Sequence, residues 1–240
     1  MNLAPLTPNT ARLARRSILM AVCALTAVGC GRREARPSTA AEAPAPAPTP
    51  PPAATDAQAR IITILGDSIT AGRGLPAADA LPAQLEAALR AQGLAVRVRA
   101  AGVSGDTTAG GLARVDFSVQ DDTDLCIVAL GGNDMLQGIE PATVRRNLQA
   151  ILERLRARQI PVLLAGMMAP SQYGSYAADF DRVFTDLAKA DDVVAYPFLL
   201  NGVAMDKRYN QADGIHPNAD GVKIIVSGLA PVVAKALSAS

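Results

Sequence analysis

One apolar run, Ile61-Ile62-Thr63-Ile64-Leu65, constrains the fold more than any other feature of the sequence. It consists of β-branched residues and leucine and passes directly into Gly66-Asp67-Ser68. A continuous apolar run that ends at glycine is typical of a strand buried on both faces in a parallel sheet. The turn after such a strand lies at the carboxyl edge of the sheet, where open α/β folds bind ligands. We therefore expect Ser68 to be an exposed side chain on a rigid element.

Two interpretations of Ser68 follow from this position, because a serine there is either a nucleophile or the N-cap of the next helix. His216, the only histidine of the chain, favours the first. A serine hydroxyl needs a base to remove its proton, and the base needs a carboxylate to fix its tautomer. Asp213 lies in the same segment as His216, Asp213-Gly214-Ile215-His216-Pro217. The sequence therefore predicts a Ser68-His216-Asp213 triad.

Four motifs occur in order along the chain: Gly66-Asp67-Ser68-Ile69, Ser104-Gly105-Asp106-Thr107, Gly131-Gly132-Asn133-Asp134 and Asp213-Gly214-Ile215-His216-Pro217. They resemble the four sequence blocks of the SGNH (GDSL-type) hydrolases. Within that family, the chain from Arg60 onwards most resembles the bacterial multifunctional arylesterase, thioesterase and lysophospholipase I group. One position departs from the family pattern, since Ile69 stands where leucine is usual, and this exchange of apolar residues affects no catalytic group.

The resemblance implies a flavodoxin-like, three-layer α/β/α sandwich around a parallel five-stranded sheet. It also implies an acyl-enzyme on Ser68 and an oxyanion hole formed by the N–H groups of Ser68 and Gly105 and the side-chain amide of Asn133. Fixed donors of this kind stabilise the charge that develops on the carbonyl oxygen. No cofactor is implied, and the expected substrates are small-molecule or lipid esters.

Strand and helix patterns alternate through the predicted domain, residues 60–240, as in right-handed βαβ units. After the first apolar run, we predict strands over 95–100, at the sheet edge, and over 125–130, 160–166 and 192–195. We predict helices over 79–92, 141–158, 173–190 and 217–237. The second and third motifs then follow the ends of predicted strands, and the fourth leads into the last predicted helix. All four would meet at one edge of the sheet.

The first 30 residues are interpreted as a targeting segment, with a basic start, Arg12, Arg15 and Arg16, and an apolar stretch over 17–28. The segment ends in Ala27-Val28-Gly29-Cys30, which resembles a bacterial lipobox with alanine in place of the usual leucine. We expect export to the cell envelope or periplasm and a membrane tether through lipidated Cys30. The alternative is an ordinary secretory signal cleaved nearby. Residues 31–59, rich in proline and alanine, are predicted to be an extended, disordered linker.

Composition and residue spacing argue against nucleic-acid binding, a disulfide and a metal site. The net charge of +1 gives no electrostatic support to nucleic-acid binding. Cys126, in an apolar run, is predicted to be a small buried side chain without a disulfide. Asp67, Asp106 and Asp134 are expected to fix the loop backbones around the site, because their separate positions lack metal-ligand spacing. We therefore expect no metal, and we expect a monomer.

The acyl group of the substrate is expected to meet apolar side chains from the loops after the third and fourth strands. The candidates are Met135, Leu136, Met168, Pro170 and Tyr173, with Ile139 and Met167 nearby, and core packing is an equal alternative for each. Two other functions stay open at this point. One is a carbohydrate or peptidoglycan O-acetyl esterase or acyltransferase, and the other is a non-catalytic envelope lipid-binding lipoprotein.

Overall fold

The structure, a computed structural model, describes residues 59–189 and 193–239. The predicted targeting segment 1–30 lies outside the described residues, as does the predicted linker 31–59 except for Ala59. The account below concerns the predicted domain.

Five strands form one parallel sheet in the order β2-β1-β3-β4-β5. They are β1 (Arg60–Gly66), β2 (Val96–Gly102), β3 (Leu125–Ala129), β4 (Val162–Ala165) and β5 (Val193–Tyr196). Every residue of β3, including Cys126, is buried, and β2 lies at an edge. The predicted α/β class and five-stranded parallel sheet are confirmed.

Six helices cover both faces of the sheet: α1 (Leu81–Ala91), α2 (Thr108–Ser118), α3 (Gly132–Leu136), α4 (Pro141–Ala157), α5 (Ser175–Leu187) and α6 (Ala219–Ala239). Helix α1 packs against α6, while α4 packs against α2 and α5. The leucines predicted at helical spacing in α1 are all fully buried. Helix α6 is long and apolar enough to span a membrane, but its apolar side chains, such as Leu229 and Val233, lie in the core of the domain.

The strand order creates a crevice at the carboxyl edge of the sheet. From β1 the chain crosses to β2 on one side, and from β2 it returns past β1 to β3 on the other. The segments that follow β1 and β3 therefore leave the sheet toward opposite faces, and such a switch point is where open α/β sheets bind ligands. Ser68 follows β1, and Asn133 lies just after β3.

Two helices, α2 and α3, were not predicted. Helix α2 begins with Thr108 and contains Gly110 and Gly111, so its intrinsic helix propensity is low. Only Thr108, Gly111 and Val115 of α2 are buried, which leaves little apolar periodicity to detect. Tertiary contacts with α4 stabilise a helix that local sequence does not favour. Helix α5 begins later than predicted, since Gly174 adopts a positive φ of 58° and separates it from a 3₁₀ turn over Ser171–Tyr173.

Candidate active site

The segment that carries Ser68 is a tight turn packed on the ends of β1 and β2. The Ala71 N–H donates to the Asp67 carbonyl (2.9 Å), and the Arg73 N–H donates to the Ser68 carbonyl (3.0 Å). A Cβ atom at residue 102 would lie 2.5 Å from the Ala71 nitrogen and 2.7 Å from the Asp67 oxygen. Only glycine at the end of β2 allows this contact, which fixes the height of the turn above the sheet.

Ser68 is buried, with 5% of its surface exposed. The expectation of an exposed serine was therefore wrong. The turn packs down onto the strand ends, and the His216 ring lies against the hydroxyl. The position at the carboxyl edge of the sheet is as expected, but the neighbouring segment removes the side chain from solvent.

Ser68, His216 and Asp213 form a continuous hydrogen-bonded chain. The Ser68 Oγ lies 2.8 Å from His216 Nε2, and His216 Nδ1 lies 2.6 Å from Asp213 Oδ2. With a proton on Nδ1 donated to the carboxylate, Nε2 is left to accept from the serine hydroxyl. This tautomer is the one that a general base toward Ser68 requires.

Asp213 is held by its own loop. Its Oδ1 accepts from the backbone N–H groups of His216 (3.0 Å) and Ile215 (2.9 Å). These bonds, first from His216 N–H and Ile215 N–H and then from the His216 ring, hold the pKa of Asp213 well below its usual range. The carboxylate therefore stays ionised at every pH at which an esterase is assayed, and it retains the orientation that His216 needs.

The three predicted oxyanion donors belong to segments that are hydrogen-bonded to one another. The Asn133 Nδ2 donates to the Asp106 carbonyl (2.8 Å), next to Gly105, and lies 3.3 Å from Asp67 Oδ2, next to Ser68. Gly105 is exposed with a φ of 87°, a conformation suited to glycine. Within residues 59–189 and 193–239, no group accepts a hydrogen bond from the backbone N–H of Ser68 or Gly105. Both donors are thus available to a substrate oxygen.

Aromatic side chains of α5 support the segment that carries Asn133. Gly131 has a φ of 117°, and a Cβ atom there would lie 2.8 Å from Phe184 Cζ. Phe184 packs against Phe180, and Phe180 stacks on Tyr176, whose hydroxyl donates to the Ile139 carbonyl (3.0 Å). The loop after β3 is therefore packed against a continuous aromatic column and has little freedom to move.

Arg114, on α2, connects three parts of the site, and sequence reasoning missed it. Its Nη2 donates to the Gly66 carbonyl (2.8 Å), just before Asp67 and Ser68. Its Nη1 donates to the Ala101 carbonyl of β2 (2.9 Å), and its Nε donates to Asp106 Oδ2 (2.6 Å). One guanidinium thus connects the turn of Ser68, the edge strand and the Gly105 segment. A single arginine in an unpredicted helix carries no signal of this in one sequence.

Gln211 was also missed, and it connects the segments that carry Ser68 and His216. Its Nε2 donates to the Arg73 carbonyl (2.8 Å) and to the Pro217 carbonyl (2.9 Å). Arg73 lies in the turn of Ser68, while Pro217 directly follows His216. The backbone N–H of Gln211 also donates to the His216 carbonyl (2.8 Å). This side chain therefore joins the turn of Ser68 to the segment of His216.

The loop aspartates hold backbone and side-chain groups, as expected. Asp134 is buried and accepts from the Thr108 N–H (2.8 Å) and the Thr108 hydroxyl (2.6 Å). Asp106 is paired with Arg114, and Asp67 Oδ1 accepts from the Ile69 N–H (3.0 Å). Over the described part of the chain, no three histidine, cysteine or acidic side chains are grouped as metal ligands.

The apolar candidates divide by exposure. Leu136 (52%), Met168 (49%) and Tyr173 (47%) are exposed, while Met135 and Pro170 are half-buried. Met167 is buried and Ile139 packs against the core, so core packing explains both. Two further exposed apolar side chains, Val103 beside Ser104 and Ile215 beside His216, were not predicted. We call these two and Leu136, Met168 and Tyr173 the apolar rim, because all five are exposed on segments that follow strands of the sheet or precede α6.

The chain is similar to known acylhydrolases. Residues 64–224 match the GDSL-like lipase/acylhydrolase family. Esterase TesA of Pseudomonas aeruginosa is 39% identical over 163 residues, 67% of this chain and 81% of that protein. Thioesterase 1/protease 1/lysophospholipase L1 of Escherichia coli K12 is 36% identical, over 72% of this chain and 83% of that protein. The arylesterase of Vibrio mimicus is 32% identical, over 77% and 93%.

Among solved structures, that of AlinE4, an SGNH-hydrolase family esterase, is similar with a TM-score of 0.63 and 47% identity. The match covers 75% of this chain and 97% of AlinE4. The sequence-based prediction of the SGNH (GDSL-type) family is confirmed by these matches.

The Arg114 contacts predict a specific loss. Arg114→Lys keeps the positive charge beside Asp106 but cannot keep the donors to both Gly66 and Ala101. We expect kcat/KM to fall at least tenfold, and the free energy of unfolding to fall by about 1–3 kcal/mol, because the Gly66 and Ala101 carbonyls lose the Arg114 donors. Denaturant unfolding and ester hydrolysis measure the two effects.

Arg99→Lys is the matched control for that variant. Arg99 also makes a two-pronged ion pair, with Asp122 at 2.8 and 2.9 Å, but it lies on the surface of the edge strand. We expect Arg99→Lys to leave kcat/KM unchanged. Equal activity of Arg114→Lys and Arg99→Lys would contradict the role assigned to Arg114.

Proposed function

Because the chain belongs to the GDSL-like lipase/acylhydrolase family, we propose that it is a serine esterase with Ser68 as nucleophile. His216 is the general base and Asp213 is the carboxylate that orients it. The observation that carries the proposal is the unbroken chain of hydrogen bonds, 2.8 Å from Ser68 to His216 and 2.6 Å from His216 to Asp213. A lipid-binding protein without catalytic function has no need of this chain of bonds.

The reaction follows from these contacts. Ser68 Oγ attacks the acyl carbonyl carbon while His216 Nε2 takes the hydroxyl proton, and the carbonyl oxygen becomes an oxyanion. The N–H groups of Ser68 and Gly105 and the Asn133 amide donate to it. His216 then protonates the leaving alcohol or thiol, which leaves an acyl group on Ser68. Water, deprotonated by His216, attacks the acyl-enzyme and releases the acid and free Ser68.

The substrates that fit the site are acyl esters and thioesters with an apolar acyl group. The relatives with the names esterase, thioesterase/lysophospholipase and arylesterase support these classes. The apolar rim supports them as well, because exposed Leu136, Met168 and Tyr173 offer apolar area to an acyl chain. Aryl and short- or medium-chain esters, acyl thioesters and lysophospholipids are therefore the proposed substrates.

The nucleophile is tested by substitution and by covalent labelling. We expect Ser68→Ala to reduce kcat/KM on p-nitrophenyl esters to background. Asp213→Asn should lower kcat by about 10⁴-fold with little change in KM, because the imidazole loses its tautomer. An organophosphonate should label the wild type once per chain, and Ser104→Ala, at the neighbouring motif serine, should still be labelled. Retained activity of Ser68→Ala would overturn the assignment.

The acyl side of the site is tested with esters of increasing chain length. Leu136→Asn should lower kcat/KM for decanoate more than for acetate, because only the longer chain reaches the rim. Phe117→Asn is the matched control, since Phe117 is also exposed (88%) but lies at the far end of α2 from the Gly105 segment. The assignment fails if the two variants have the same chain-length profile.

We propose that the enzyme is exported and tethered to the cell envelope through lipidated Cys30. The basic start, the apolar stretch and the Ala27-Val28-Gly29-Cys30 segment support the proposal, and the proline- and alanine-rich residues after it supply a spacer. A tether of this kind would bring the active site close to lipid esters of the envelope.

Metabolic labelling with a fatty-acid precursor tests the tether. We expect the wild type to incorporate label and Cys30→Ala to incorporate none. Cys23→Ala, at the other cysteine of the same segment, should be labelled like the wild type. An unlabelled wild type in a strain that labels other lipoproteins would contradict the anchor.

A further inference from the structure

Asp67, which directly precedes Ser68, is a buried carboxylate. Its side chain is buried, with 2% of the residue exposed, and none of the described arginines or lysines forms an ion pair with it. Burial raises its pKa to about 6, against smaller opposing effects from the Ile69 N–H and the nearby His216. The other charged neighbour is Asp106, which is itself paired with Arg114.

A buried carboxylate of this kind opposes folding at neutral pH. The unfolded chain titrates this group near its ordinary value of 3.8, while the folded chain binds the proton more tightly. The contribution of this one group to stability is therefore most favourable below about pH 4, falls as the pH rises from about 4 to about 6, and stays lower above that. An asparagine of the same shape would avoid the penalty. The contacts of Asp67 must then serve something other than stability.

Those contacts converge on the Asn133 amide. A primary amide has one nitrogen with two hydrogens and one oxygen, and its two ends are alike in shape. Two acceptors face the nitrogen end of Asn133, the Asp106 carbonyl at 2.8 Å and Asp67 Oδ2 at 3.3 Å. With a carbonyl on one side and a carboxylate on the other, the amide oxygen would be repelled from this place. The pair therefore selects one of the two amide orientations.

The two bonds differ in strength. The 2.8 Å bond to Asp106 is of ordinary length, whereas 3.3 Å exceeds the usual N–H···O range. The hydrogen directed at Asp67 is consequently the one that a new acceptor can take. Asp67 also precedes Ser68 in the chain, so this hydrogen belongs to the side of the amide nearest the nucleophile turn.

We propose that Asp67 is a positioning residue of the oxyanion hole, which holds the Asn133 amide with its nitrogen toward the reacting carbonyl. The inference rests on the proposed function, because it assigns a role within that reaction. As the oxyanion forms, the Asn133 N–H that pointed at Asp67 Oδ2 donates its hydrogen bond to the substrate oxygen instead, and the hydrogen stays on the amide nitrogen. Repulsion between the two negative oxygens is offset by the positive charge that His216 gains in the same step, since the charge of His216 also acts on Asp67.

Asp67→Asn tests the inference, because it keeps the shape of the side chain but replaces one accepting oxygen with a donating NH₂ group. The new amide can present N–H to Asn133, so that only the Asp106 carbonyl still selects the orientation of the Asn133 amide. We expect kcat for p-nitrophenyl butyrate to fall by about 10²-fold with KM unchanged, the pattern of a lost transition-state contact. The rate of labelling by an organophosphonate should fall in parallel.

The same variant should be more stable than the wild type. We expect its urea midpoint at pH 8 to rise. The gain should shrink as the pH falls through about 6 and vanish only well below pH 3.8, where the wild-type carboxyl is protonated in both states. Asp134→Asn is the matched control, because Asp134 is also buried but accepts two hydrogen bonds from Thr108. Its urea midpoint should fall. A gain in stability together with a loss of kcat is an outcome that a purely structural role would not produce.

The remaining outcomes each count against the inference. Wild-type kcat in Asp67→Asn would overturn it and leave the proposed function intact. A lower urea midpoint at pH 8, with kcat and KM both impaired, would show a structural role and overturn it as well. A wild type that neither hydrolyses esters nor takes up the phosphonate would overturn the proposed function, and the inference with it.

Discussion

The close contact between the nucleophile turn and the ends of two strands is the constraint on which the rest of the site depends. Gly102 lets the backbone of Asp67 and Ala71 approach β2 to a distance at which no other residue fits. That approach buries Ser68 and brings Asp67 beside the segment of Asn133. Arg114 then donates to the Gly66 carbonyl, just before the turn, and to the Ala101 carbonyl of the edge strand, and so joins the two. The position of the hydroxyl is thus set by backbone packing before any catalytic side chain is considered.

The sequence was sufficient for the parts of the molecule that depend on local patterns. The apolar run of β1 is continuous, and the leucines of α1 and α4 recur at helical spacing. The burial of these side chains could therefore be predicted. The triad residues lie in short motifs, and the hydrogen bonds of Asp213 within its own loop follow from a separation of three residues. These features need no knowledge of distant contacts.

The parts that could not be predicted depend on contacts between distant segments. Helix α2 has a weak apolar pattern and forms because α4 covers it. Arg114 and Gln211 donate to backbone carbonyls far away in the chain. Every residue has such a carbonyl, so no residue type marks these acceptors in the sequence. The burial of Ser68 likewise depends on how closely the turn approaches β2. In each case the missing information was a distance between segments and not a residue type.

The two carboxylates nearest the reaction centre differ in a way that separates their tasks. Asp213 is partly exposed and receives two backbone N–H groups, which lower its pKa and keep it charged for His216. Asp67 is buried, receives weaker support, and has a raised pKa. The stabilised charge of Asp213 therefore stays available to orient His216 throughout the reaction. Asp67, whose charge is poorly compensated, accepts only a long hydrogen bond from the Asn133 amide. Because that bond is weak, the same N–H can donate to the oxyanion when it forms.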